Sequence, residues 1–587
     1  MTEAMFAGLG AFALSVAFTL LAERVARRAD FVARPVADRW HRQTVPLLGG
    51  VAIVVGTVVP TLIVAGAHRN ILVLSVVAAA MGFVGLVDDV RRLPPQVKLL
   101  AQLVLASVLL YFGFALKITG YPLVDVFVTL FWIIGITNAF NLLDNMDGLS
   151  STIALVAAAF RLMFFVWESD TAGVVASASF LGAVAGFLLR NFPPATIFMG
   201  DAGSLFLGFF LAGLSLASST AAYSRGIVAV LVLPVLLLAI PIFDTAFVTV
   251  TRLLSGQRVD VGGRDHTSHR LVAIGLSERG TLLFLAGLSA AGGGVAALSY
   301  QVGLSYAVVL ASLLVICLVL LGVHLSRVRV VPAAERREAG TVLRLLADFQ
   351  YKRQVLTLLL DACLIPLAYY SAYVIRFEDA LPSEVSNFYV SLPVVLPIQL
   401  ITLAAFGLYR PVWQYIGLAD IVRIIKATAM GVAATLVALV YLQRFAGFSR
   451  TVFVLDWLLL VILVVASRGS FRFLAEMFRP RRDSHVRVLI YGAGHGGELI
   501  VREIINNASH QRIPVGFIDD DRSKHRTSIH GVPVLGGLDQ LEALVHARGA
   551  GEVIVSSEKI NDNGLAQAQE VCQKLDVPLR RLSVRLE

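Results

Sequence analysis

Two adjacent carboxylates, Asp88 and Asp89, end an apolar run of the sequence, GFVGLVDDVRRLPPQVKLL. Neighbouring carboxylates repel each other, so a cation, a basic partner or a retained proton must stabilise them. The pair therefore suits a divalent metal ion or a general base, although pairing with Arg91 and Arg92 would explain it equally well. Lys98 begins the next apolar run, where its ammonium group could meet a phosphate.

A polar stripe follows in TNAFNLLDNMDGLS, with one polar residue at every third position: Asn138, Asn141, Asp144 and Asp147. On a helix this spacing makes a stripe that drifts slowly round one face. The stripe ends an apolar helix, where the helix dipole favours a cation. Four polar side chains at a membrane boundary are costly unless they bind something, which favours a functional site. The alternative is a polar helix end without a ligand.

Three further segments carry candidate residues. The small residues of GDAGS (200–204) would let a ligand approach a helix start, and Asp201 could bind Mg²⁺ or simply cap the helix. His266 and His269 could bind zinc, but no Cys or third His accompanies them, so with Arg270 they better suit an anionic diphosphate. The basic loop RPVADRWHRQTVPLLGG (34–50) either binds substrate or only reflects the excess of basic residues that fixes a loop on the cytoplasmic side of a membrane.

The composition indicates which elements position these residues. Of the 587 residues, 57% are hydrophobic and 15% are charged, whereas a soluble protein carries about 25% charged residues. Eleven apolar segments precede residue 325, and four more lie between 354 and 467. We therefore predict a polytopic α-helical membrane protein with about 15 transmembrane helices (11 + 4) and a C-terminal cytoplasmic Rossmann-like α/β domain.

The net charge of +9 fits the excess of basic residues on the cytoplasmic side better than a nucleic-acid partner, so none is expected. Glu3 precedes the first apolar run and a basic cluster follows it, which places the N-terminus outside. With this orientation almost every candidate residue falls in an inside loop. We therefore expect a single cytoplasmic site.

These motifs, in this order, resemble the polyprenyl-phosphate N-acetylhexosamine-1-phosphate transferase family over about residues 1–325. The resemblance rests on PLLGG, the Asp88-Asp89 pair with Lys98, NAFNLLDNMDGL, FMGDAGSLFLG and the loop that ends in HRL. It implies transfer of a sugar phosphate from a UDP-N-acetylhexosamine to undecaprenyl (polyprenyl) phosphate, with release of UMP. It also implies a bacterial plasma-membrane enzyme, a homodimer, and a Mg²⁺ ion, with Mn²⁺ as the alternative.

The resemblance assigns roles to matching residues. Asp201 and Asn141 would bind the metal, and Asp88, Asp89 and Asp144 would be catalytic. The implied substrate-binding residues are Lys98, Asn138, Asp147, His266, His269, Arg270, Arg39 and His41. Direct attack by the lipid phosphate is favoured, and a covalent aspartyl intermediate stays open.

Three positions depart from the family pattern. Ser268 replaces one histidine of the H-x-H-H loop, and DGxDG becomes DNMDG, with Asn145 in place of glycine. Ala33 stands where the first basic loop often has Asp. These changes leave the reaction class intact but leave the donor sugar open. The competing hypothesis is a lipid-binding scaffold or transporter. It predicts that some of the acidic and amide residues of the family motifs are replaced, yet all of them are present: Asp88, Asp89, Asn138, Asn141, Asp144 and Asp201.

The last hundred residues suggest a nucleotide site. A strand, a Gly-rich turn (Gly492, Gly494 and Gly497) and a helix occur in VRVLIYGAGHGGELIVREI, and Asp519 follows the next strand. This order favours a dinucleotide-binding fold, although its site could be empty.

The second half resembles the N-terminal portion of the polysaccharide-biosynthesis UDP-HexNAc 4,6-dehydratases, without the Tyr-x-x-x-Lys pair of their catalytic domain. We expect a regulatory, oligomerising or nucleotide-binding module that takes NAD(P) or a UDP-sugar and has no dehydratase activity. An NAD-dependent UDP-sugar-modifying enzyme is the alternative. The predicted domains are 1–325 (transferase), 326–350 (linker), 351–477 (four-helix membrane domain) and 478–587 (Rossmann-like).

Overall fold

The computed structural model of the chain forms two compact units, Met1–Arg479 and Pro480–Glu587. It describes residues 2–33, 44–65, 68–217, 232–255, 257, 263, 265–302, 304–326, 328, 352–409, 417–444, 447–477, 486–506, 512–556 and 562–581. Most of the predicted linker 326–350 therefore lies outside the described residues.

The first unit is helical. Its first group of helices is α1 (Thr2–Arg28), α2 (Gly49–Ala65), α3 (Arg69–Arg91), α4 (Pro95–Tyr111), α5 (Pro122–Leu143), α6 (Leu149–Trp167), α7 (Thr171–Asn191), α8 (Gly200–Leu216), α9 (Leu233–Leu237), α10 (Ala239–Leu254), α11 (Thr267–Ala273), α12 (Glu278–Val302) and α13 (Leu304–Leu325). A short two-stranded sheet pairs β1 (Val32–Ala33) with β2 (Val45–Pro46). The second group is α14 (Lys352–Phe377), α15 (Leu381–Ala405), α16 (Leu418–Gln443) and α17 (Arg450–Met477).

Within the described part of the chain, eleven helices are long and apolar enough to cross a membrane, and α2, α4 and α8 are shorter apolar helices. The prediction of a polytopic membrane protein is confirmed. One of the eleven apolar segments predicted before residue 325, near 226–250, lies partly outside the described residues. Its described part is broken at Leu238 into α9 and α10.

Helix α8 lies at the centre of the first group of helices. All of its residues from Ala202 to Leu216 are buried, and α3, α5 and α2 pack against it. Its sequence contains three glycines after Asp201, which let neighbouring backbones approach closely, as is typical of helix packing in membranes. The central position of α8 brings its N-terminal residues against the ends of α3 and α5.

The second group of helices has its own apolar core. Polar side chains are buried inside it: Arg468 on α17 bonds Asp361 on α14 at 2.5 Å, and Gln399 bonds Asp456 at 2.7 Å. Helix α13 packs against α14 and α17, so it joins the two groups of helices within this unit.

The second unit contains a mostly parallel sheet of β3 (Val486–Tyr491), β4 (Arg512–Ile518), β5 (Ser528–Ile529), β6 (Val532–Gly536), β7 (Glu552–Val555) and β8 (Leu579–Arg581). The helices are α18 (His495–Asn506), α19 (Leu541–Arg548) and α20 (Asp562–Lys574). The strand order is β5-β6-β4-β3-β7-β8, and only the β5–β6 pair is antiparallel. This confirms the predicted C-terminal α/β fold.

Candidate active site

Two carboxylates from different helices meet at one ammonium group. Asp88 lies in the last turn of α3, Asp201 in the first turn of α8 and Lys98 in the first turn of α4. The Nζ atom of Lys98 lies 2.8 Å from Oδ2 of Asp88 and 3.3 Å from Oδ2 of Asp201. The side chains of Lys98 and Asp201 are 26% and 30% exposed. The cluster is therefore reachable, and its two carboxylates exceed the charge of its one cation.

This donor set fits a hard divalent ion. Mg²⁺ prefers oxygen ligands and is commonly held by one or two carboxylates, with substrate phosphates and waters completing its shell. Asp88 and Asp201 already share one cationic partner, the ammonium group of Lys98. Across the described residues, no third His, Cys, Asp or Glu joins such a pair in a metal-binding group.

Asp89 is directed at the backbone of α8. Its two carboxylate oxygens accept the N–H groups of Asp201 at 2.8 Å and of Ala202 at 3.0 Å. Gly200 has a φ of +65°, and a Cβ atom there would lie 2.5 Å from Oδ2 of Asp89, so only glycine fits. Asp89 thus satisfies orphan donors at the start of α8 and holds Asp201 next to α3.

The two asparagines of the polar stripe face different partners. Asn141 donates through Nδ2 to Oδ1 of Asp201 at 3.0 Å and to Oγ of Ser204 at 2.9 Å. Asn138 and Gln102 on α4 form a reciprocal pair of amide hydrogen bonds, at 2.8 and 3.2 Å. The structure therefore brings Asn141 into the carboxylate cluster, while Asn138 links α5 to α4.

The two aspartates of the stripe lie beyond the helix. Asp144 is the C-cap residue of α5, and Asp147 accepts the N–H of Ala195 at 2.8 Å. Gly148, with a φ of +68°, is the N-cap residue of α6. Asp147 therefore positions the loop that leads into α8.

The histidine loop is anchored by a buried acid on α10. Oδ2 of Asp244 lies 2.8 Å from Nδ1 of His266, and Oδ1 accepts the N–H of Thr267 at 2.8 Å. A carboxylate on Nδ1 fixes the ring orientation and leaves Nε2 as the nitrogen that can face a substrate. The ring of His269 lies 6.3 Å from that of His266.

Two arginines brace the same loop. Arg252 binds both carboxylate oxygens of Asp265, at 2.6 and 2.7 Å. Burial raises the pKa of Asp265, but the guanidinium outweighs it and holds the pKa below its usual value. Arg270 donates to the backbone carbonyls of Asp265, Leu325 and Val328, at 2.8, 3.1 and 2.8 Å. Arg270 thus ties the loop to the end of α13.

A side-chain hydrogen bond links the histidine loop to Asn145, which lies within the segment of the polar stripe. Oγ of Ser268 donates to Oδ1 of Asn145 at 2.6 Å. Asp144 immediately precedes Asn145, and His266 and His269 flank Ser268. Arg39 and His41 fall in 34–43, outside the described residues.

The Gly-rich turn of the second unit lies between β3 and α18. Gly492 follows β3 with a φ of +104°. A Cβ atom on Gly497 would lie 2.1 Å from the carbonyl oxygen of Gly492, whereas one on Gly494 would meet nothing within 4 Å. The last glycine is therefore required for packing, and the middle one leaves open space above the loop.

The acid after β4 is engaged by the protein itself. Asp519 accepts the N–H of Ala493 at 2.7 Å, the N–H of Asp521 at 2.9 Å and Nζ of Lys524 at 3.0 Å. Burial raises the pKa of Asp519, but these donors outweigh it and keep the pKa below its usual value. In this arrangement Asp519 holds the Gly-rich loop.

The sequence analysis gave no role to several residues that the structure places here. Asp244, Arg252 and Asp265 brace the histidine loop, and Gln102 pairs with Asn138. Asp244 and Gln102 interrupt apolar runs, and a polar residue in a membrane helix is a signal that could have identified them.

Two family models match the chain. The model described as glycosyl transferase family 4 matches residues 71–219, and the model described as CoA-binding domain matches residues 404–579. The first match includes the carboxylate cluster. The second begins at the end of α15 and extends into β8.

Three relatives illustrate the similarity. The probable undecaprenyl-phosphate N-acetylglucosaminyl 1-phosphate transferase of Bacillus subtilis is 32% identical over 278 residues, which cover 46% of this chain and 76% of the relative. The phospho-N-acetylmuramoyl-pentapeptide-transferase of Lactobacillus gasseri is 32% identical over 236 residues, 35% of this chain and 74% of the relative. The probable polysaccharide biosynthesis protein EpsC of Bacillus subtilis is 31% identical over 175 residues, 30% of this chain but only 29% of the relative.

The order of the motifs agrees with the coverage of about three quarters of two transferases. The chain belongs to the polyprenyl-phosphate N-acetylhexosamine-1-phosphate transferase family, glycosyl transferase family 4.

Proposed function

We propose that the protein transfers an N-acetylhexosamine phosphate from a UDP-sugar to undecaprenyl phosphate, giving an undecaprenyl-diphospho-sugar and UMP. The lipid phosphate oxygen attacks the β-phosphorus of the donor, and the bond to the oxygen that leaves with UMP breaks. Two relatives are named as a probable undecaprenyl-phosphate N-acetylglucosaminyl 1-phosphate transferase and a phospho-N-acetylmuramoyl-pentapeptide-transferase, which supports this reaction class.

The observation that carries the proposal is the convergence of Asp88 and Asp201 on Lys98. Both reactants are anions, so the site must neutralise negative charge before they can meet. Lys98 supplies one positive charge and could turn from the carboxylates to a phosphate oxygen.

The site residues fit Mg²⁺, which Asp88 and Asp201 would hold. When bound, such an ion neutralises phosphate charge and polarises the phosphoryl oxygens. Asn141 orients Asp201 in the observed arrangement, and Asp89 positions it through the backbone. Asp144, the C-cap residue of α5, is proposed to lie close to the reacting phosphates.

The histidine loop is proposed to bind the UDP-sugar. Asp244 orients His266 through Nδ1, so Nε2 is left for the substrate, and the imidazolium form can donate from Nε2 to a diphosphate oxygen without reorganising the ring. Arg252 and Arg270 stabilise the loop itself, because their described hydrogen bonds are to oxygens of the protein. Arg270 is therefore proposed to position the loop.

We further propose that these residues face the cytoplasm of a bacterial plasma membrane, since UDP-sugars are cytoplasmic. The second unit is proposed to bind a nucleotide or UDP-sugar as a regulatory or assembly module. The open space above Gly494 supports that role.

The test is UMP release by the purified protein given undecaprenyl phosphate, Mg²⁺ and a panel of UDP-sugars. We expect release with a UDP-N-acetylhexosamine, loss of release with EDTA, and loss in Asp201→Ala. Release of UDP in place of UMP, or release that does not depend on the lipid phosphate, would contradict the proposed reaction.

A further inference from the structure

The two departures from the family pattern that lie beside the candidate site contact each other. Asn145 stands where the family motif has glycine, and Ser268 stands where the loop has a histidine. The structure joins them through the 2.6 Å bond from Oγ of Ser268 to Oδ1 of Asn145. The family's glycine could not make this bond, since glycine has no side chain to accept the hydroxyl of Ser268.

The orientation of the Asn145 amide is fixed by a second bond. Nδ2 donates to the carbonyl of Leu142 at 2.8 Å, in the last turn of α5, so Oδ1 faces Ser268. Asn145 therefore bridges the C-terminal end of α5 and the first turn of α11. Ser268 is 1% exposed, so its hydroxyl needs such an acceptor.

The bond lies between groups assigned to the reaction. Asp144 precedes Asn145 in the chain, and His266, oriented by Asp244, lies two residues before Ser268. A bond across these two segments sets how far the acidic end of α5 stands from the histidine loop.

We propose that Asn145 and Ser268 are a coupled positioning pair for the UDP-sugar. The pair replaces a glycine and a histidine by a direct link between the two loops, and it holds the histidine loop at the donor diphosphate. This inference rests on the proposed transferase function.

The test is a double-mutant cycle on UMP release with Asn145→Gly, Ser268→His and the double variant, which restores the family pattern. Each single change removes the bond, and Ser268→His also puts a ring against Asn145. We expect each to raise the KM for the UDP-sugar by about tenfold while kcat changes less. If the two residues act through this bond, the second substitution should cost little once the first has removed it. The kcat/KM of the double variant should therefore be at least about fivefold higher than the value obtained by multiplying the two single losses.

Two further variants separate positioning from folding. Ser268→Thr keeps the hydroxyl and should stay within about threefold of wild type, whereas Ser268→Ala should resemble the other single variants. Ser383→Ala is the matched control, because that serine donates to the carbonyl of Ala380 in the second group of helices. It should leave both constants unchanged.

Purely multiplicative effects in the cycle, or an unchanged donor KM in Ser268→Ala, would overturn the coupled pair. Failure of the proposed function is distinguishable, since the wild-type protein would then release no UMP.

Discussion

Two of the charged clusters in the helical unit differ in their exposure and in their balance of acids and bases. Asp88 and Asp201 share the ammonium of Lys98, whose side chain is 26% exposed. Asp361 and Arg468 form an ion pair with side chains that are 0% and 1% exposed. The first cluster has two acids for one base and is partly exposed, whereas the ion pair has one acid and one base and is buried.

The comparison shows that a charge in an apolar helix does not by itself identify a reaction site. A buried, balanced pair can hold helices in register, while its net contribution to stability is small after desolvation. An accessible and unbalanced cluster is a place where a cation or a phosphate can still bind. Four substitutions would break or sharpen this distinction.

The largest expected effect is on stability, in Arg468→Met. This change leaves Asp361 buried without its cation, which costs about 3–5 kcal/mol. The melting temperature in detergent should fall by several degrees, while UMP release per folded molecule stays near wild type. Adding Asp361→Leu should recover most of the lost stability. No recovery would show that the loss does not come from the unpaired Asp361 carboxylate.

Lys98→Gln should show the reverse pattern. Removal of one preorganised group that meets developing phosphate charge costs about 10²–10³ in rate. UMP release should fall by that factor, with a melting temperature close to wild type. A large loss of thermal stability with normal turnover would instead assign Lys98 to the same class as Arg468.

Asp244→Asn should have an intermediate effect. The amide no longer fixes the His266 ring as a carboxylate does, and loss of such a supporting group typically costs about 10–100-fold in activity. The donor KM in UMP release should rise. An unchanged donor KM would indicate that His266 takes no part in binding the donor.

The smallest effect concerns Asp519 in the second unit. Its pKa is lowered in the folded state, so its stabilising contribution is present above the unfolded value of about 3.9 and is lost as pH falls towards the folded pKa. Partial solvent screening keeps the contribution below about 1 kcal/mol. In Asp519→Asn, limited proteolysis of the second unit should be faster than wild type at pH 5, and the difference should shrink by pH 3. An equal difference at both pH values would contradict this linkage.

The sequence analysis recovered the elements better than their contacts. Long apolar runs identify membrane helices because length and hydropathy suffice, and the strand–glycine–helix order identified the second unit. The fate of the stripe was less predictable. A three-residue spacing drifts round the helix, so Asn138 meets Gln102 while Asn141 meets Asp201. Which neighbour each one faces depends on how α4 and α8 pack.

Contacts between residues far apart in the chain could not be predicted either, because they too depend on how the helices pack. Asp244 and His266 are 22 positions apart, and Asn145 and Ser268 are 123 apart. Both departures from the family pattern were visible, but only the structure shows that they touch. Asp89 was grouped with Asp88 because the two are adjacent, yet the structure directs it at the backbone of α8.

The most direct test of the account compares three carboxylate variants in one UMP-release assay: Asp88→Asn, Asp201→Asn and, from the buried pair, Asp361→Asn. Rates are measured per folded molecule with undecaprenyl phosphate, Mg²⁺ and the preferred UDP-sugar. The account predicts losses of at least about a thousandfold in the first two and less than about tenfold in the third. Activity near wild type in Asp201→Asn, or a loss in Asp361→Asn as large as in the other two, would contradict the assignment of the reaction to the α3–α8 cluster.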